Sequence, residues 1–66
     1  MKRLKNNVLK RWLDDNKVGM SDLAERTGLS RTTIYRHVHL LSDVGGNAAK
    51  AYNKETGIPL ELLLED

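Results

Sequence analysis

The sequence predicts an all-α fold, a compact five-helix bundle that contains a helix-turn-helix. Apolar residues recur at intervals of three and four along most of the chain, and glycine or proline separates the periodic segments. No alternation of β type extends over a useful length. A chain of 66 residues buries only about 60% of its unfolded surface. We therefore expect residues 1–66 to form a single domain with a thin core.

The first predicted helix covers residues 3–14. Its apolar side chains form one stripe, which consists of Leu4, Val8, Leu9, Trp12 and Leu13. Polar residues at 14–16 end this pattern, and Gly19 then allows a turn. Trp12 is the only tryptophan, and we expect it to anchor the core because an aromatic residue at helical spacing usually packs.

The second predicted helix covers residues 20–27. Ser21 and Asp22 lie in its first turn, where a side-chain oxygen or a negative charge suits the free N–H groups. Gly28 follows, and it lets the chain leave the helix through a left-handed conformation. Leu23, Ala24 and Thr27 share the face that is expected to point inward.

The third predicted helix covers residues 31–39 and is capped by Ser30. Two helices joined by a short turn that contains glycine form a helix-turn-helix. Leu29 and Ile34 fix the angle between the two helices. The outer face of the third helix should therefore protrude from the bundle.

Two further helices complete the predicted bundle. Residues 42–47 are predicted to form a loop, because this six-residue segment includes serine, aspartate, asparagine and two glycines. Asn47 is expected to cap a fourth helix over residues 48–56, and Gly57 is expected to end it. Pro59 then begins a short fifth helix, since proline suits the first helical turn.

Charge is distributed unevenly along the chain. Residues 1–36 contain nine Lys or Arg and four Asp or Glu, whereas residues 37–66 contain two and five. The net charges of these halves are +5 and −3, and no acidic residue occurs from position 26 to position 42. A basic half favours contact with a polyanion, although an ordinary solvated surface is an alternative explanation.

The outer face of the third helix suits the reading of double-stranded DNA. An α-helix fits the major groove, and side chains near its start reach base edges. The residues expected to read bases are Arg31, Thr32, Tyr35 and Arg36. The arginines could each offer a bidentate fork to guanine, and threonine could place its methyl group against thymine. Phosphate contacts are expected from Lys17, Ser21, Ser30 and Thr33.

The segment LAERTGLSRTTIYR resembles the helix-turn-helix signature of the lambda-repressor/Cro-like superfamily. The match covers Leu23, Ala24, Gly28, Leu29, Ser30 and Ile34. The tail AAKAYNKETGIPLELLLED is similar to the closing pattern of that family. The segment TTIYRHV also resembles the helix-turn-helix segments of tetracycline repressors and site-specific recombinases.

The Cro-like resemblance implies a small phage or prophage repressor that occupies operator DNA. It implies base-reading positions at Arg31, Thr32 and Arg36, with Tyr35 beside them. It also implies phosphate clamping by Met20 and Ser21 at the start of the second helix. The family often has glutamine at the position of Met20 and an aliphatic residue at that of His37.

The leucine-rich tail predicts a partner surface. So small a core cannot bury every leucine of LELLLED, and exposed neighbouring leucines such as Leu62 and Leu64 suggest an interface. We expect a homodimer on DNA, because two-fold operators match two-fold proteins with recognition helices about 34 Å apart. A frayed terminal turn is the alternative. A different function would be a protein-interaction module or antitoxin that uses this tail to bind a protein.

The two histidines, His37 and His39, are expected to be structural or to face phosphate rather than to bind a metal. Positions two residues apart on a helix point to different sides, and no third ligand lies at a suitable spacing. If His37 is half-buried in place of an apolar residue, stability or DNA binding should vary between about pH 5 and 7.

No catalytic arrangement is visible, so we expect the protein not to be an enzyme and to use no cofactor or small-molecule substrate. The chain contains no cysteine, no signal-peptide core and no apolar run of membrane-spanning length. The expected location is the cytoplasm of a bacterial cell. The chain has no room for a second, ligand-sensing domain, although a fragment of a larger repressor would look the same.

Overall fold

The computed structural model describes residues 2–65, which form five helices and one small antiparallel sheet. In chain order the elements are β1 (Arg3–Leu4), α1 (Val8–Asn16), α2 (Met20–Thr27), α3 (Arg31–Val38), α4 (Gly46–Thr56), α5 (Leu60–Leu63) and β2 (Leu64–Glu65). The prediction of an all-α architecture with five helices is broadly confirmed, and the small β1–β2 pair is a feature that it did not include. None of the helices within residues 2–65 is long and apolar enough to cross a membrane.

The beginning of the chain differs from the predicted helix over residues 3–14. Asn7 has a left-handed conformation with φ 66°, which asparagine tolerates better than most residues, and α1 starts only after it. Leu4 lies instead in β1, where it pairs in register with Leu64. Its side chain is buried, as the periodicity suggested. It reaches the core from a strand that pairs with the other end of the described chain, and not from α1.

The end of α1 also differs from the prediction. Lys17, and not Gly19, takes the left-handed conformation that ends the helix, with φ 54°. The amide of Val18 donates to the carbonyl of Leu13 at 2.9 Å, and that of Lys17 donates to Asp14 at 3.3 Å. This pattern is a Schellman motif with lysine at the position that glycine usually occupies.

The helix-turn-helix is present as predicted. Gly28 ends α2 with φ 77°, and its amide donates to the carbonyl of Ala24 at 2.9 Å. Ser30 caps α3, and its Oγ accepts from the amide of Thr33 at 3.0 Å. α3 ends one residue earlier than predicted, and Leu40 then adopts a left-handed conformation with φ 59°.

The last two helices begin differently from the prediction. α4 starts at Gly46 with Gly45 as its N-cap, so the assignment of the cap to Asn47 is wrong. Gly45 is extended, with φ −69°, so the backbone turns into the helix before Asn47 is reached. Pro59 is expected in the first turn of the fifth helix, but it is the N-cap and α5 begins at Leu60. The predicted stop of α4 at Gly57 is confirmed by its left-handed φ of 76°.

One core lies between the helices and the sheet. Its buried apolar residues are Leu4, Leu9, Leu13, Leu23, Ile34, Val44, Ala48, Ala49, Tyr52 and Leu63. Trp12 is only partly buried and packs against this core, so the prediction that it anchors the core is met only in part. Tyr52, which is 0% exposed, is the aromatic residue at the centre.

Candidate nucleic-acid interface

α3 has one face in the core and one face in solvent. Ile34 and His37 are buried, and Thr33 and Val38 are partly buried beside them. The exposed residues of this helix and its C-cap are Arg31, Thr32, Tyr35, Arg36 and His39. At 3.6 residues per turn, these five positions cover an arc of roughly 140°. The four residues predicted to read bases therefore share one accessible face.

The two arginines of this face make no ion pair with the rest of the described chain. Within residues 2–65 the ion pairs join Arg3 to Asp43, with Nε and Oδ1 3.3 Å apart, and Arg26 to Glu55, with Nη1 and Oε2 3.5 Å apart. Both guanidinium groups on α3 are thus available to an external acceptor. Arg26, which could have added attraction for a polyanion, instead has its charge balanced by Glu55.

The rings of Tyr35 and His39 form a tilted contact on the exposed face. Their ring centroids are 4.1 Å apart with an interplanar angle of 39°. This contact restrains the tyrosine ring against the end of α3, although half of the residue remains exposed. The i, i+4 spacing of two aromatic rings is the sequence signal that identifies His39 as a member of this face.

The N-cap of α3 contains a pair of hydroxyl groups. Ser30 Oγ accepts from the Thr33 amide and donates to Thr33 Oγ1 at 2.8 Å. The hydrogen of the serine hydroxyl is therefore used within the protein, whereas the threonine hydroxyl hydrogen is free to donate. Of these two predicted phosphate contacts, Thr33 keeps the donor that a phosphate requires, and Ser30 orients it.

The other predicted phosphate contacts lie at or before the start of α2. Lys17 and Ser21 are exposed, whereas Met20 is partly buried against the core. The methionine side chain has no N–H or O–H group, so it cannot donate a hydrogen bond to a phosphate. Any phosphate contact at this position would have to come from its backbone amide.

An open depression, which we call the α2–α3 notch, lies between the beginnings of these two helices. It is lined by Met20, Arg31, Thr32 and Tyr35. Three of these residues belong to the exposed face of α3, and the fourth comes from α2. The helix-turn-helix geometry therefore brings Met20 beside the predicted base-reading residues.

His37 points away from this face. It is only 5% exposed, and its Nδ1 lies 2.7 Å from the hydroxyl oxygen of Tyr52. Burial lowers the pKa of His37 below its ordinary value. The interpretation of His37 as a phosphate-facing residue is wrong, and its alternative role as a buried replacement for an apolar residue is confirmed.

The two leucines predicted to form a dimer surface differ in exposure. Leu62 is 55% exposed, and the neighbouring Leu60 is 42% exposed. Leu64 is partly buried, because it lies in β2 and packs against the core. Leu60 and Leu62 therefore offer more apolar surface to a partner than Leu64 does.

Comparison with known protein families identifies the family of this chain. A family model described as an HTH domain matches residues 5–63, which is nearly the whole chain. No curated protein and no solved structure matches the chain. The matched region includes every element from α1 to α5.

Proposed function

Because the chain belongs to the family of HTH, or helix-turn-helix, domains, we propose that it is a transcriptional regulator that reads DNA sequence by placing α3 in the major groove. Membership of this family indicates a DNA-binding regulator. The observation that carries the proposal is the exposed face of α3, on which Arg31 and Arg36 have no acidic partner among residues 2–65. Thr32 and Tyr35 lie between them and can contact base edges, sugar or phosphate.

The proposed mechanism is occupancy of an operator. A domain that covers its site excludes other proteins, and it needs neither a cofactor nor a catalytic residue. The resemblance of residues 23–36 to the lambda-repressor/Cro-like signature supports a Cro-like phage or prophage repressor, acting in the cytoplasm of a bacterial host. Lys17, Ser21 and Thr33 would hold the phosphate backbone on either side of the groove.

The proposed assembly on DNA is a homodimer. Leu60 and Leu62 are both exposed near the end of the described chain, and an isologous contact that includes Leu62 would pair two copies about a two-fold axis. A Leu62→Lys variant should leave the fold intact, because the side chain is mostly in solvent. Sedimentation with operator DNA should then show one bound copy where the unmodified protein shows two.

The first test is a titration against random duplex DNA at about 50 and 200 mM salt, followed by selection of bound sequences. A steep loss of affinity with salt and an enriched two-fold motif would support the proposal. The half-site spacing would also emerge from that motif. Absence of binding at the lower salt concentration would overturn it.

Two variants separate sequence reading from simple charge attraction. The Arg31→Ala/Arg36→Ala double variant should lose about 1–3 kcal/mol for each bidentate contact and lose its preference for the selected sequence. Arg11→Ala removes an exposed arginine from α1 as a control. It should weaken binding to all sequences alike, with the preference unchanged.

The second candidate function is a protein-interaction module or antitoxin. It is favoured by one observation, the exposure of Leu60 and Leu62 in the tail. A protein of this kind would retain its partner when Arg31 and Arg36 are replaced and would lose it in Leu62→Lys. Loss of binding in the Arg31→Ala/Arg36→Ala variant therefore indicates the DNA reader, whereas loss of a protein partner in Leu62→Lys alone indicates the interaction module.

A further inference from the structure

The α2–α3 notch combines two kinds of chemistry. Met20 contributes a thioether, Thr32 a methyl group and Tyr35 an aromatic ring, whereas Arg31 contributes a guanidinium group. Packing against the core restrains Met20, and the tilted contact with His39 restrains the tyrosine ring. The notch is therefore a supported concave surface that combines apolar groups with two hydroxyl groups and one cation.

The apolar part of the notch does not suit a phosphate. A phosphate needs N–H or O–H donors, and the side chain of Met20 supplies none. Methionine packs well around small apolar groups, because its side chain is flexible and its sulfur is polarisable. A partner that presents an apolar group directly beside a hydrogen-bond acceptor therefore matches both parts of this surface.

The major groove of DNA contains such a combination. Thymine is the only standard base that shows a methyl group there, and guanine shows two acceptors that match the fork of arginine. We propose that the α2–α3 notch holds the 5-methyl group of a thymine next to the guanine that Arg31 reads, with Met20 as its main wall. This inference rests on the proposed function and adds a specificity-determining residue outside α3.

Replacement of single thymines by deoxyuridine tests the inference, because it removes one methyl group and leaves base pairing intact. Each thymine of the selected site is replaced in turn, and affinity is measured by fluorescence anisotropy. One replacement, next to a guanine whose recognition requires Arg31, should weaken binding of the unmodified protein by about fourfold, the effect of burying one methyl group.

Two variants then assign the effect to Met20. In Met20→Ala the affinities for the thymine and deoxyuridine sites should become equal, whereas Met20→Leu, which keeps an apolar wall, should retain the difference. The comparison is a ratio of two affinities of the same variant, so a change in its stability does not affect the result. Thermal melting confirms that each variant is folded at the temperature of the titration.

The outcomes distinguish the inference from the proposed function. If the protein binds a selected sequence but no deoxyuridine replacement weakens binding, or if the selected site has no thymine beside a guanine, the inference is overturned and the proposed function stands. If the difference persists in Met20→Ala, the methyl group is read elsewhere and the inference is also overturned. If no sequence is selected at all, the proposed function itself fails.

Discussion

The Nδ1 atom of His37 lies 2.7 Å from the hydroxyl oxygen of Tyr52, so a hydrogen bond inside the core joins α3 to α4. Burial raises the pKa of Tyr52, so the phenol keeps its proton and can donate it. Neutral His37 accepts this bond at Nδ1 in the tautomer that carries its proton on Nε2. The two rings also meet edge to face, with centroids 5.7 Å apart. The last turn of α3 is thus held by a polar contact that depends on the charge of the histidine.

Acidification should destabilise the protein through His37. Its pKa is lowered by burial, which the hydrogen bond with the Asp43 backbone offsets only in part, so the unfolded chain takes up a proton more readily. The resulting stability is fully present above the ordinary pKa of about 6.5 and is lost as the pH falls through the lower pKa of the folded state. The melting temperature, followed by circular dichroism, should therefore fall between about pH 7 and pH 5.

The histidine on the other side of α3 provides the control for this pH dependence. His39→Gln removes an exposed imidazole and should leave the slope of melting temperature against pH unchanged. His37→Gln should flatten that slope. An unchanged slope in His37→Gln would show that another group is responsible.

The bond between His37 and Tyr52 should appear as a coupling energy. Tyr52→Phe leaves the buried Nδ1 without a partner and should cost about 1–3 kcal/mol, and His37→Leu leaves the phenol unpaired at a similar cost. In the double variant both polar groups are gone, so its loss should be smaller than the sum of the two. Urea denaturation of the unmodified protein, the two single variants and the double variant measures the four free energies of unfolding. Strictly additive losses would argue against the bond.

Replacement of Lys17 by glycine should stabilise the fold while it weakens DNA binding. The lysine has φ 54°, a conformation that glycine adopts without strain, so Lys17→Gly should gain about 0.5–1 kcal/mol. If the side chain contacts a phosphate, the slope of log affinity against log salt should become shallower by about one. Lys17→Ala removes the charge but keeps the strain, so it should lose binding equally without gaining stability.

Replacement of Ser30, the N-cap of α3, should lower the free energy of unfolding more than replacement of Ser21 on α2. Ser30→Ala deletes the acceptor for the Thr33 amide and should destabilise the protein by about 1 kcal/mol. Ser21 is exposed, and within residues 2–65 its side chain makes no hydrogen bond, so Ser21→Ala should change stability by less than about 0.5 kcal/mol. Thermal melts of both variants check the difference, and equal losses would contradict the assigned cap.

The helix boundaries that could be predicted from the sequence depend on local chemistry. Gly28 and Gly57 end helices because a left-handed residue is required there, and Ser30 begins one because its side chain replaces a missing acceptor. Each of these signals acts over three or four residues. The helical period of 3.6 residues also predicted that Arg31 and Arg36 lie on one face of α3. Their role in DNA binding stays a prediction.

The features that could not be predicted depend on distant parts of the chain or on uncommon conformations. Leu4 fits the periodicity of α1 as well as it fits β1, and only its pairing with Leu64 decides between them. Lys17 and Leu40 occupy left-handed positions where glycine would be expected. The position of Met20 beside Arg31 follows from the angle between α2 and α3, which no short sequence pattern gives.

The pairing of β1 with β2 has a consequence for the order of folding. It joins Arg3 to Glu65 and so closes a loop that contains nearly the whole described chain. The entropy cost of closing a loop grows with its length, whereas a helix and its neighbour along the chain meet rapidly. We therefore expect α2 and α3 to associate early and the two strands to pair last. Because β1 also packs against α3, the part of the support of α3 that comes from β1 forms only in this final step.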